Sequence, residues 1–315
     1  MNILFAAPEN AWGGFFASIQ SINPEHHFVA NGKFQIESLA GFDVVLPTMS
    51  PITAKILETA DQLKLIQQVG AGLEGVDINA ATRAGIHVAN VPSNNSGNAV
   101  SVAEVGIYLM IGLARDAREM HRTLQDGRIG SPLGLALAGK RAGIIGLGGI
   151  GEALTPPLQA LGMDVIGVKK GNPQETQHRL GLSWCGTMTE LPYLLGSSDF
   201  VILALPDNSQ THHLMNLQNL KLMKPESFLI NLGRGGLIPH ADLLQALRQN
   251  LIAGAGLDVF WNEPPNPKDE IFKYNVLATP HIAGATDLSL AGIRQAVCEN
   301  LRRLADHQPI LNCVN

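Results

Sequence analysis

Short apolar runs separated by turn-forming residues set the rhythm of the first third of the chain. Residues 3–6, 44–46, 65–69 and 86–89 read as strands, with helical patterns and Gly-, Pro- and Asn-rich turns between them. That alternation is the pattern of an α/β sheet with parallel strands. The polar stretch Val91-Pro92-Ser93-Asn94-Asn95-Ser96-Gly97-Asn98 can continue neither element and reads as a hinge between domains. Residues 99–124 follow as one long helix, apolar on most sides at first, and such a helix is either centrally buried or packed against a partner subunit. A second series of strands then runs through 143–145, 165–168, 200–204, 228–231, 253–257 and 276–278, and a terminal helix over 287–306 is expected to pack back on the first domain.

The most specific local signal is Gly146-Leu147-Gly148-Gly149-Ile150-Gly151, which follows the apolar run 142–145 and opens into the helical pattern 152–161. Strand, glycine loop, helix is the dinucleotide fingerprint. The first glycine makes the turn, the second lets the backbone approach a pyrophosphate, and the third lets helix pack on strand, with the anion at the positive end of the helix dipole. Two decoys show why spacing alone is weak. Gly70 to Gly75 repeats the pattern, but the helix after it is too short for a nucleotide-binding crossover. Gly134 to Gly139 with Lys140 resembles a phosphate-binding loop, but Arg141 stands where Ser or Thr should hold Mg²⁺ and the loop precedes a strand. The fold class predicted is α/β with parallel sheets in two domains. A Rossmann-type dinucleotide-binding domain, residues 98–285, is inserted into a smaller flavodoxin-like substrate domain made of 1–97 and 286–315.

At 315 residues the chain can bury two cores. A net charge of −5 without a basic block argues against nucleic acid or a membrane surface as the main partner. Cys185, Cys298 and Cys313 are far apart and lack metal-ligand spacing, so reduced thiols and no metal site are expected. The adjacent histidines His26-His27 and His212-His213 should diverge in a strand or helix and lie at the surface. The N-terminus reads as an immediate strand rather than a signal peptide, and no apolar stretch is long enough to span a bilayer, so a cytoplasmic protein is expected.

In an open parallel sheet, ligands bind beyond the carboxyl ends of the strands. Three polar motifs stand there: Asn231-Leu232-Gly233-Arg234-Gly235, then Asp258-Val259-Phe260-Trp261-Asn262-Glu263-Pro264, then Thr279-Pro280-His281-Ile282-Ala283-Gly284. Arg234 can grip a carboxylate or polarise a carbonyl, His281 can give or take a hydroxyl proton, and Glu263 beside it would favour the imidazolium form.

Through these motifs the chain, from about Pro51 onward, resembles the D-isomer-specific 2-hydroxyacid dehydrogenases, which include glyoxylate, hydroxypyruvate, phosphoglycerate and formate enzymes. The resemblance implies that Arg234 binds and activates a 2-oxo acid, His281 exchanges the proton, and Glu263 tunes His281. It also implies that Val69, Gly70, Ala71 and Gly72 form the loop whose backbone amides hold the substrate carboxylate. Gly146, Gly148, Gly149, Ile150, Gly151, Leu232, Gly233 and Gly284 are assigned to the cofactor. By the same resemblance Asp258 faces the nicotinamide carboxamide, and Leu205, Pro206 and Thr211 flank the adenosine.

Two departures matter. Sites that prefer NAD place a carboxylate at the end of the second strand, where it accepts bonds from the ribose hydroxyls. Here Lys169 and Lys170 follow that strand and would attract a 2′-phosphate, so NADP(H) is expected to be preferred, with NAD(H) possible. Pro156-Pro157 should kink the helix after the glycine loop beyond its first turn. Short-chain dehydrogenases are excluded, because Tyr108, Tyr193 and Tyr274 are followed four residues later by Gly112, Ser197 and Ala278 instead of lysine. With only Lys55 near the loop at residues 47–51, and no regulatory domain after Asn315, a small acid such as glyoxylate or hydroxypyruvate is favoured over phosphoglycerate. The expected function is NADP(H)-dependent reduction of such an acid by a homodimer joined through the helix over 99–124. The alternatives are an NAD-dependent phosphoglycerate dehydrogenase or a dinucleotide-sensing corepressor.

Overall fold

The computed structural model describes residues 1–315. In chain order its first elements are β1 (Asn2–Phe5), α1 (Phe15–Ile22), β2 (His27–Ala30), β3 (Val44–Leu46), α2 (Ala54–Leu57), β4 (Leu65–Gln67), α3 (Ile78–Arg83) and β5 (His87–Ala89). Next come α4 (Asn98–Ala114), α5 (Ala117–Gln125), β6 (Arg141–Ile145), α6 (Gly149–Ala160), β7 (Asp164–Val168), α7 (Pro173–Leu180), β8 (Trp184–Gly186) and α8 (Leu191–Ser197). The remainder is β9 (Phe200–Leu203), α9 (Leu217–Leu220), β10 (Phe228–Asn231), α10 (His240–Arg248), β11 (Gly254–Leu257), β12 (Val276–Ala278) and α11 (Asp287–Ala305). These elements form two compact units, Met1–Asn98 with Ala285–Asn315, and Ala99–Gly284.

The smaller unit is a five-stranded sheet in the order β2-β1-β3-β4-β5, parallel throughout. Successive side chains of a strand point to opposite faces, and here both faces are covered. Ile3 and Phe5 join Phe15, Phe16 and Ile19 of α1 with Ile293, Val297 and Leu301 of α11. Leu4 turns instead to Ile36, Leu39, Leu57 and Ala81 on the other side. The free edge of β5 is closed by the C-terminal tail, where Cys313 bridges Ala89 in antiparallel sense and the Val314 amide donates to the Val88 carbonyl at 2.9 Å. The polar stretch before α4 is firmly packed. Ser96 is buried, and a side chain on Gly292 would collide with its backbone.

The larger unit carries seven parallel strands in the order β12-β11-β10-β9-β6-β7-β8. The sequence predicts six. The additional strand, β8, is Trp184-Cys185-Gly186, and it and β2 of the smaller unit, His27-Phe28-Val29-Ala30, are missed because neither is an uninterrupted aliphatic run. Ile144, Ile202 and Ile230 face α4, while Ile145, Val201, Leu203 and Leu229 face the opposite layer.

The single helix expected over 99–124 is two helices, α4 and α5, bent by 60°. Asp116 breaks it: its backbone turns left-handed (φ +51°) and its carboxylate caps α5 by accepting from the Glu119 amide at 3.2 Å. By contrast α6 is one helix through Pro156 and Pro157, with Pro156 on its exposed side and the Thr155 hydroxyl donating to the Gly151 carbonyl at 3.0 Å. No single helix is long and apolar enough to cross a membrane.

Candidate active site

The strand order of the larger unit reverses at β6, between β9 and β7, and the fingerprint loop leaves β6 at that switch point. Gly146 has φ +98°, and a side chain there would meet the Ala204 carbonyl at 2.6 Å, so only glycine makes this turn. A side chain on Gly151 would run into the Gly146 carbonyl, which fixes the close approach of α6 to β6. Gly148 is different: nothing lies within 4 Å of where its Cβ would be. Gly148 also caps α6 without any side-chain hydrogen bond, so the first-turn amides of that helix point into open space. An uncapped helix end facing a cleared surface fits the pyrophosphate of a dinucleotide. Gly149 and Ile150, which begin α6, are half-buried beside it.

The next positions sit at successive carboxyl ends. Lys169 and Lys170 follow β7, and the Lys169 ammonium donates to the Thr176 hydroxyl at 3.0 Å. After β9, the Thr211 hydroxyl donates to the Pro206 carbonyl at 2.6 Å and accepts from the Asn208 amide at 2.9 Å, closing the loop that begins at Leu205. Within that loop His212 and His213 do not diverge as expected. They lie in a turn with ring centroids 3.8 Å apart, and His212 Nδ1 is 3.0 Å from Asp207 Oδ1.

Beyond β10, Asn231 is buried and works in both directions: its Oδ1 accepts from the Gly233 amide at 3.1 Å and its Nδ2 donates to the Arg234 carbonyl at 2.9 Å. This clamp presents the half-buried Arg234, whose guanidinium donates to the Gly233 carbonyl at 2.7 Å, and Leu232 is buried beneath it. In the sequence Asn231 stands out only as the first residue of the motif that carries Arg234. Its place as the last residue of a strand, just before Leu232-Gly233-Arg234, is the signal that marks it as a clamp.

At β11 and β12 the pieces meet. His281 Nδ1 lies 2.7 Å from Glu263 Oε2, and Glu263 Oε1 accepts from the Phe260 amide at 3.0 Å. Burial acts to raise the Glu263 carboxyl, but the hydrogen bond and charge of His281, the Phe260 amide and the Arg234 charge together hold it below the ordinary carboxylate range. His281 itself has φ +52°, a left-handed conformation uncommon outside glycine. Asp258 holds it there. Its carboxylate is buried and accepts from the Thr279 hydroxyl at 2.7 Å and from the Ile282 and Ala283 amides at 3.0 and 3.2 Å, bracketing His281 on both sides. Burial lifts Asp258 above its ordinary value against those bonds. This bracing is a task the sequence did not reveal for Asp258. Gly284, half-buried, ends the same segment.

Val69, Gly70, Ala71 and Gly72 belong to the smaller unit, just past β4. The carbonyls of Gly70 and Ala71 are held by the Val91 amide at 2.9 Å and the Asn90 side chain at 2.7 Å. The amides of Gly70, Ala71 and Gly72 have no acceptor within that unit, which suits a carboxylate.

Fold and site together define an α/β protein with a Rossmann-type dinucleotide sheet and an imidazole–carboxylate pair at its strand ends. Residues 107–283 match the family model of the D-isomer specific 2-hydroxyacid dehydrogenase NAD binding domain. Over 274 residues the chain is 34% identical to a glyoxylate reductase of Thermococcus litoralis, covering 84% of this chain and 80% of that protein. It is 32% identical over 275 residues to a D-3-phosphoglycerate dehydrogenase of Archaeoglobus fulgidus, covering 86% of this chain but 51% of that protein, so it spans about half the length of that relative. Among solved structures, the TT0316 protein of Thermus thermophilus matches with a TM-score of 0.85 and 27% identity over 100% of both chains. An acyclic imino acid reductase in complex with NADPH and D-Arg matches with a TM-score of 0.85 and 25% identity, again over 100% of both chains. The chain belongs to the D-isomer specific 2-hydroxyacid dehydrogenase family.

Proposed function

We propose that the protein reduces a small 2-oxo acid of the glyoxylate or hydroxypyruvate class to the D-2-hydroxy acid, using NADP(H) in preference to NAD(H). The observation that carries this reading is the His281–Glu263 pair at 2.7 Å, with the Arg234 charge acting on the same carboxylate. The glycine loop at Gly146, Gly148 and Gly151 would hold the pyrophosphate, and the cofactor would supply the hydride to the 2-oxo carbon.

The chain's own residues do the rest. Arg234 binds the substrate carboxylate and polarises the carbonyl through its planar fork. His281 donates the proton that the carbonyl oxygen takes up as the hydride arrives, and it recovers a proton from solvent between turnovers. Glu263 fixes the ring through Nδ1, which leaves Nε2 as the nitrogen that faces substrate. In the smaller unit the amides of Gly70, Ala71 and Gly72 are suited to a carboxylate. Asp258, besides bracing the His281 loop, would accept from the nicotinamide carboxamide. Lys169 and Lys170, in place of an acidic residue, underlie the coenzyme preference.

We further read the protein as a cytoplasmic homodimer. Val100, Tyr108 and Ile111 are exposed on one side of α4, with Glu104 between the first two, and Ile129 and Leu133 in the loop after α5 are almost wholly exposed, which suits a second copy.

The test is NADPH and NADH oxidation across glyoxylate, hydroxypyruvate and 3-phosphohydroxypyruvate. Faster turnover of the two small acids with NADPH supports the reading. A preference for the phosphorylated acid with NADH would replace it by a phosphoglycerate dehydrogenase, and cofactor binding without oxidation under any acid by a dinucleotide sensor. His281→Ala should lower kcat by about 10²–10⁴-fold while NADPH affinity holds, and unchanged turnover would remove the proton-donor role.

A further inference from the structure

A cavity of about 330 Å³ opens beyond β7, lined by Lys169, Lys170, Asn172, Glu175, Thr176 and Arg179. Two of its cations follow the strand directly. The third, Arg179, comes from the far end of α7 and was not among the residues the sequence pointed to. Its guanidinium makes a bidentate pair with Glu152, Nη1 to Oε2 at 2.9 Å and Nη2 to Oε1 at 2.5 Å. Glu152 stands in the first turn of α6, the helix that starts at the fingerprint loop. The pair therefore links the helix at the pyrophosphate position to the cavity beside the second strand.

Arg179 is half exposed, and its pairing with Glu152 uses two of five N–H donors. The other three bond to nothing in the chain and are fixed in direction by the planar fork. Lys170 likewise makes no hydrogen bond or ion pair and is exposed, while Lys169 is aimed along α7 by its bond to Thr176. At the start of α7 the Asn172 side chain does not cap the helix but donates from Nδ2 to Glu175 Oε2 at 3.2 Å, which holds that carboxylate in the first turn. Lys169, Lys170 and Arg179 outnumber the one carboxylate of the lining, Glu175, so the cavity suits a compact, multiply charged oxyanion. The end of the second strand is where the adenosine ribose lies in a Rossmann sheet.

We propose that Arg179 is a specificity-determining cation that binds the 2′-phosphate of NADP(H) together with Lys169 and Lys170, and that Glu152 orients it while competing with the phosphate for its charge. The inference rests on the NADP(H) reading above. Glu152 sets the strength of the site: it fixes the fork for phosphate, yet its own negative charge lies beside the ligand's. Charge-assisted hydrogen bonds of this kind carry enough free energy for about tenfold or more in affinity.

The experiment is equilibrium binding to the full chain, followed by fluorescence for NADPH and NADH and by calorimetry for 2′-AMP and 5′-AMP, which cannot react. Arg179→Gln should weaken NADPH and 2′-AMP by about tenfold or more and leave NADH and 5′-AMP within about twofold. Arg179→Lys, which keeps the charge but loses the fork, should fall between. Glu152→Gln keeps an oxygen to orient the guanidinium but removes the charge, and should tighten NADPH alone, most clearly at low salt. If wild type binds NADPH and NADH equally, the coenzyme reading fails and this inference with it. If wild type prefers NADPH and Arg179→Gln keeps that preference, Arg179 is no part of the site and the coenzyme reading stands on Lys169 and Lys170. Equal weakening of both dinucleotides would make the Arg179–Glu152 pair a structural tie between α6 and α7.

Discussion

The left-handed backbone of His281 puts the ring where Glu263 can reach it, and the same turn makes the pair sensitive to acid. Glu263 titrates below its ordinary value of 4.5, so the folded protein binds its proton less readily than the unfolded chain does. The stabilisation is complete above 4.5 and is lost as pH falls through the lower, folded value. Glu263→Gln should therefore melt below wild type at neutral pH, and the gap in Tm should narrow as the pH drops below 4.5. A gap that stays constant down to strong acid would mean that the Glu263 charge contributes nothing to the fold. Asp258 works in the opposite sense, since burial raises it and protonation in acid relieves part of its cost. The residues that carry charge at the site were legible as motifs after strands. Those that hold them are Asn231, which bonds the backbone three positions on, and Asp258, which reaches the Ile282 amide 24 positions on, and no periodicity marks such bonds.

At the level of elements, legibility followed the presence of an apolar run. Strands such as β9 and β10 are four buried residues in a row and stand out in the sequence, whereas β2 begins at a histidine and β8 contains a glycine, so neither shows an apolar run. The break between α4 and α5 was hidden for another reason. Asp116 is a modest helix former by propensity, and only its left-handed backbone and its capping bond turn it into a boundary. The α4 face read as apolar on most sides divides in the structure. Leu109, Met110 and Leu113 are buried against the sheet, and Val100, Tyr108 and Ile111 remain exposed. If that exposed side joins two copies, Tyr108→Glu with Leu133→Asp should halve the mass measured by light scattering while leaving the far-ultraviolet spectrum unchanged. A wild-type chain that is already monomeric at micromolar concentration would dismiss the dimer.

For the whole molecule, the discontinuity of the smaller unit outweighs any single contact. Its sheet is made of residues near the start, but Ile293, Val297 and Leu301 of α11 fill one side of its core, and buried Asn300 joins Gln67 of β4 to the tail at Leu311. Leu301→Ala should cost about 2–5 kcal/mol in that unit. Hydrogen exchange should then quicken in β1–β5 and stay unchanged in β6–β12, and a uniform rise through both sheets would show that the two units unfold as one. The arrangement also has a consequence on the ribosome. Synthesis delivers β1 to β5 before the larger unit, yet α11, which covers one face of them together with α1, emerges only after the whole of the larger unit has been made. The second sheet, whose residues are contiguous, can fold while the first still waits with one face covered by α1 but lacking Ile293, Val297 and Leu301 of α11. The first strands made belong to the last core to close, and it is during that interval that the nascent chain depends most on being shielded from its neighbours.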